Sequence, residues 1–274
     1  MTSEKTRIPL TAALGGAAAC ILRVWNLRTG FEADTRLPIP GPSFPALLIL
    51  FGAVMLSLLI QSRRLSDNGA PRFPFHTEQS ALCVPAIAGM FLLALSGAAD
   101  IFESATGKSV LGGADYEYAY SGLISGDAVG MSAGAQGFAG LLALLSAWAV
   151  FVCVRACMRG NLPFRAVVMI PAVALSFRLV TIYRVESVNP VLQDYAPALV
   201  ALALQVLGFY FFSAFAFDCG NLTAFAVSAG GAICAAMCVL FDGSEYVSTP
   251  LTLCGSAAAL GGFLLMALQA PVEP

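Results

Sequence analysis

The chain has 274 residues, of which 58% are hydrophobic and 11% charged, with 14 Lys and Arg against 16 Asp and Glu and a mean hydropathy of +0.82. So few charges cannot cover the surface of a soluble domain of this size, and scattered basic residues with a net charge of −2 exclude a nucleic-acid surface. Apolar runs of membrane length recur throughout, where a barrel would show short alternating strands, so the class is an all-α polytopic membrane protein.

The first predicted helix covers 8–26. Lys5 and Arg7 precede it and "GGAAAC" imitates a lipoprotein cleavage box, but the following "ILRVW" is apolar, so the segment is read as retained. Seven further spans are expected at 43–62, 80–100, 134–157, 166–184, 196–217, 222–241 and 249–269. Lys5, Arg7, Arg63, Arg64, Arg72, Arg155, Arg159 and Arg165 then share one side, which the positive-inside rule makes cytoplasmic, with both termini there and the whole chain in the cell membrane. The opposite side collects Glu32, Asp34, Glu103, Asp115, Glu117, Glu186, Asp194 and Glu245, with Arg23, Arg28, Arg36, Lys108, Arg178 and Arg184 as the basic exceptions at or near it.

Two arginines break the hydropathy pattern. Between Arg165 and Arg178 lie positions 166–177, about 18 Å of helix against a hydrocarbon core of roughly 30 Å. Arg178 therefore sits within the membrane, and Arg23, too close to Arg7, does the same in the first helix. The coincidence fits a degenerate duplication: "LRVWNLRTG…PALLILFG" resembles "FRLVTIYRV…PALVALAL", aligning Arg23 with Arg178 and Pro45 with Pro197. The third helix of each half ends in an i,i+3 acidic pair, Asp100/Glu103 and Asp242/Glu245. The expectation is one membrane domain built as a 4+4 parallel repeat, 1–157 and 158–274. Arg23, Arg178, Asp100, Glu103, Asp242 and Glu245 form its candidate ligand layer. Helix-fastening ion pairs or snorkelling explain the same residues without a ligand.

Gly122, Gly126, Gly130 and Gly134 recur four apart, with Gly137 and Gly140 following, and predict a helix-packing seam or a re-entrant segment carrying Asp127. "DYEYAY" places Tyr116, Tyr118 and Tyr120 as interfacial anchors or a vestibule rim. Cys153/Cys157 and Cys234/Cys238 share helix faces, but no His accompanies them, and packing is the reading preferred to a soft-metal site. "GKS" at 107–109 lacks the upstream glycine of a phosphate loop, and the lone His76 excludes a His-based triad. No cofactor is expected.

Three functions remain open. The chain is a transporter or transport subunit for a small anionic solute, a non-catalytic scaffold or regulatory subunit with a membrane-protein partner, or a lipid enzyme using Asp100, Glu103 or Asp127 with Tyr116. A transporter requires a polar cavity lined by the arginines, whereas a scaffold requires the arginines paired or facing lipid.

Overall fold

The computed structural model describes residues 2–32, 37–66, 75–77, 79–107, 131–160, 164–187, 191–242 and 248–269. Its helices are α1 (Thr2–Thr29), α2 (Ser43–Ser66), α3 (Val84–Thr106), α4 (Ala133–Arg159), α5 (Arg165–Glu186), α6 (Leu192–Ala216), α7 (Leu222–Cys238) and α8 (Ser248–Gln269), with a single 3-10 turn at Ser80–Cys83. Among the described residues the only extended pairing is an isolated bridge between Phe31 and Pro38. Every expected span contains a helix, and seven of the helices are long and apolar enough to cross a membrane. The exception is α7. It has 17 residues, about 25 Å of helix, because the chain turns out of helical geometry at Val239.

Local signals set several ends. Pro85 opens α3, where its missing N–H costs nothing, and Gly107 closes it at φ 64°. The Ser132 hydroxyl accepts the Ala135 N–H at 3.3 Å to cap α4, which stops at Gly160 with φ 68°. Asn221 caps α7 by accepting the Ala224 N–H at 3.1 Å.

The helices alternate in direction, as cross-contacts at both ends show. At one end the C-terminal part of α1 meets the start of α2 (Asn26 to Ser43), and the end of α3 meets the start of α4 (Glu103 to Gln136). At the other, Thr11 of α1 meets Gln61 of α2, and Thr223 of α7 meets the Ser62 carbonyl. α8 is the central helix, with 72% of its apolar window buried against 22% for α2. α7 packs among α1, α2, α6 and α8, while α3 packs between α4 and α8. No comparable contact joins α7 to α4 among the described residues, so the helix neighbours of the two halves are not mirrored throughout.

The tightest helix contacts are made by glycines, among them Gly137 and Gly140 of the expected stripe. Gly122, Gly126 and Gly130 lie outside the described residues, and Gly134 is exposed, with nothing within 4 Å of an added Cβ. Among the described residues the close approach of α4 to α3 starts one turn later, at Gly137, and continues where Gly140 and Gly97 face each other. A Cβ on Gly97 would stand 2.7 Å from the Gly140 carbonyl oxygen. Two turns earlier on α3, toward α8, a Cβ on Gly89 would stand 2.4 Å from the Gly255 carbonyl oxygen and 2.5 Å from the Ala259 nitrogen. Backbone cannot move aside as a side-chain tip can. Gly89→Ala should therefore lower stability by about 1–3 kcal/mol, and Gly134→Ala should leave it unchanged or slightly raised, as read from paired thermal unfolding curves in nanodiscs. Equal melting temperatures for the two variants would contradict this packing.

The end of the bundle opposite the α2 N-terminus is closed by aromatic rings. Phe75, ahead of α3, is fully buried and packs edge-on against Phe212 (4.9 Å), Phe215 (5.2 Å), Phe225 (5.5 Å) and Phe263 (6.4 Å). Phe212 and Phe263 stack at 4.2 Å. One side chain from a connection thus ties α6, α7 and α8 together.

Candidate functional site

Because the helices alternate, the ends of α1, α3, α5 and α7 and the starts of α2, α4, α6 and α8 meet at one end of the bundle. All the expected charge-layer residues that are described lie there. Arg23 and Arg178 are both buried, with 0% and 3% of their surfaces exposed, so neither snorkels to the surface.

Each arginine meets a carboxylate from the other half of the chain. Arg23 Nε donates to Asp242 Oδ1 at 2.9 Å and Oδ2 at 3.1 Å, and Nη2 donates to Oδ2 at 2.9 Å, a side-on bidentate pair. Its remaining N–H groups reach Asn26 Oδ1 (3.1 Å), the Gln193 carbonyl (2.9 Å) and the Asp194 carbonyl (2.8 Å). All five guanidinium donors are used, so burial leaves none unsatisfied. Asn26 in turn donates to Ser43 at 3.0 Å, linking the cluster to α2. Asp242 stands just past the end of α7. Burial pushes its carboxyl above the usual range, the hydrogen bonds and charge of Arg23 oppose that rise, and the Asp194 charge adds to it.

Arg178 is held differently. Nη1 is salt-bridged to Asp100, and Nη2 donates to the Ser248 and Thr249 hydroxyls in the first turn of α8, the latter at 3.2 Å. Two buried polar atoms of this pair, Arg178 Nε and Asp100 Oδ1, have no hydrogen-bond partner among the described residues. The two candidate centres therefore match in their ion pairs and differ in completeness. Glu103, three residues beyond Asp100, accepts from Gln136 Nε2 of α4 at 2.8 Å. Glu245 lies outside the described residues, as do Tyr116, Tyr118, Tyr120 and Asp127.

Below Arg178 a line of polar side chains runs down one face of α8: Ser248, Thr252 and Ser256, spaced by four. Ser96 of α3 lies 2.6 Å from the Thr252 hydroxyl and donates to the Ser248 carbonyl at 2.9 Å. Ser256 donates to Gln205 Oε1 of α6, and Gln205 Nε2 donates to the Leu253 carbonyl, both at 2.7 Å. Beside this line is a cavity of about 10 Å³, room for one water-sized body, lined mainly by apolar side chains, with Arg178, Ser146, Thr252 and Ser256 as its polar groups and Pro171 on one wall. Pro171 has no N–H, so the α5 ladder is interrupted on that wall. The Ser/Thr periodicity of α8 is visible in the sequence, but it gains meaning only beside the buried Gln205 and Ser96.

Cys153, Cys157, Cys234 and Cys238 are buried and unbridged, and no three His, Cys, Asp or Glu side chains among the described residues are grouped to hold a metal ion. Comparison with family models, curated proteins and solved structures gives no match, so the site is read from this chain's own residues.

Proposed function

We propose that this chain is a non-catalytic membrane subunit, a scaffold or regulatory protein, whose intramembrane charges fasten the bundle. The carrying observation is that both buried arginines have their charge met by carboxylates: Arg23 by Asp242 and Arg178 by Asp100. The pairing is reciprocal, each arginine of one half taking an acid of the other, as a pseudo-two-fold relation between duplicated halves requires. This supports the 4+4 reading and eight crossings, with α7 spanning as a short helix shielded by its neighbours. It also supports a single cell-membrane domain with Arg63, Arg64, Arg155, Arg159 and Arg165 at the cytoplasmic end and both termini inside. A membrane-protein partner follows from the role, its contacts falling on the lipid-facing surfaces.

A second reading, a transporter or transport subunit for a small anionic solute, is favoured by one observation: the buried Arg178 borders a small, mainly apolar cavity and keeps a donor without a partner among the described residues. Reconstitution in liposomes separates the two. The scaffold reading expects uptake of labelled small anions no faster than in protein-free vesicles. Saturable uptake that disappears in Arg178→Gln would replace it with the transport reading.

A further inference from the structure

Two arginines of α4 take no part in holding the bundle together. Arg155 and Arg159 stand one turn apart near its C-terminus, both exposed, and neither makes a hydrogen bond or ion pair among the described residues. The other described arginines at this end differ. Arg165 pairs with Asp218 at 3.5 Å and lies over the Phe217 ring, Arg64 is engaged as well, and Arg63 and Arg7 are exposed on separate helices.

The face that Arg155 and Arg159 close is apolar. At about 100° per residue, Leu141, Trp148, Val152, Arg155 and Arg159 fall within a sector of about 60° around α4. Leu141 and Trp148 are 54% and 52% exposed, so α3 and α5 pack on α4 without covering this sector. The uncharged run of α4 ends at Val154, which sets Arg155 at the edge of the hydrocarbon. From Arg155 to Arg159 the helix rises about 6 Å, against a headgroup layer of roughly 5–7 Å on each side of the core. Both guanidinium groups therefore stand at the level of lipid phosphates, above an apolar wall that an acyl chain can follow.

Charge selects among lipids. Like charges four apart on a helix repel, and no acidic side chain among the described residues relieves this pair. The dipole at the end of α4 favours Arg159 in the last turn more than Arg155 one turn earlier. A phosphate between the two guanidinium groups satisfies both through charge-assisted hydrogen bonds, for which the arginine fork is suited. A zwitterionic lipid presents the same phosphate but brings an ammonium that the two arginines repel.

We propose that the exposed face of α4 binds one anionic phospholipid, its phosphate held by Arg155 and Arg159 and one acyl chain lying along Val152, Trp148 and Leu141. The site goes beyond the scaffold reading and does not depend on it, since a lipid held on α4 serves a subunit and a transporter alike.

The chain carries its own reporter. It has two tryptophans, and Trp25 lies on α1 toward the opposite end of the bundle, so in Trp25→Phe the fluorescence comes from Trp148 alone. The full-length Trp25→Phe protein is placed in phosphatidylcholine nanodiscs with increasing fractions of phosphatidylglycerol or phosphatidylcholine brominated on the acyl chains. Brominated phosphatidylglycerol should reach half-maximal quenching at a mole fraction about 30-fold lower than brominated phosphatidylcholine, from about fivefold for each arginine. In the same background the preference should fall to about fivefold in Arg155→Gln and vanish in Arg155→Gln/Arg159→Gln. Arg155→Lys/Arg159→Lys should keep part of it, and Arg63→Gln all of it. Equal quenching by the two lipids overturns the proposal, leaving only an unselective lipid contact, and that comparison needs no arginine variant. Quenching by neither lipid also overturns it, because a second copy or another protein then covers α4. A preference that survives the double glutamine variant, or that Arg63→Gln reduces equally, does the same.

Discussion

Arg23→Gln should lower the stability of the folded bundle by about 3–5 kcal/mol, the range for removing one partner of a buried ion pair. The cost arises from what remains behind. Asp242 loses its counterion within a site already unfavourable to its charge, and the Gln193 and Asp194 carbonyls lose their donor at the start of α6. Asp242→Asn should cost less, because Arg23 keeps two carbonyls and Asn26. The double variant should recover part of the Arg23→Gln loss, but not all, since the α6 carbonyls lack the arginine donor in both. Reversible unfolding in mixed micelles, run as a double-mutant cycle, measures each term. A single-variant loss below about 1 kcal/mol would mean that water reaches this arginine and that the clasp is not structural.

Phe75→Ala should have an effect of similar size at the other end, about 3–5 kcal/mol for a large aromatic removed from a closed core. Four rings on three helices lose an edge-on neighbour at once, and no other connection among the described residues supplies a replacement. Among the described residues the adjacent His76 is anchored by Nδ1 against the Cys157 carbonyl at 3.1 Å, too little to hold the segment alone. Protease cleavage between Ser66 and Ser80 should therefore quicken in Phe75→Ala and remain near the wild-type rate in Phe75→Leu, which keeps most of the volume. Equal cleavage rates in all three proteins would show that Phe75 does not pin this connection.

The sequence alone determined the class, the helix positions and the existence of a buried charge layer. Those follow from one-dimensional quantities: run length against bilayer thickness, and the number of residues between Arg165 and Arg178 or Arg7 and Arg23. Hydrophobic periodicity could not reveal that α7 ends after 17 residues, because the apolar run continues through Val239, Leu240 and Phe241 while the backbone turns. The glycine spacing pointed at Gly134, Gly137 and Gly140 alike, and only the latter two approach a neighbour among the described residues, because spacing says nothing about which partner meets the stripe. Gly89, Gly97 and Gly255 became significant only when α3 was placed between α4 and α8.

Pairing was likewise a tertiary decision. Arg23 and Asp242 are 219 positions apart, and Arg178 and Asp100 are 78 apart, so no local rule could choose between partners within and across the halves. Helix direction brought four carboxylate- or arginine-bearing ends to one level, and packing then selected the cross-pairs. The difference between Arg23, with every donor satisfied, and Arg178, with Nε unpartnered, depends on whether a guanidinium presents its side or its tip to a carboxylate. That orientation is set by surrounding side chains to within an ångström, and composition and spacing carry no record of it.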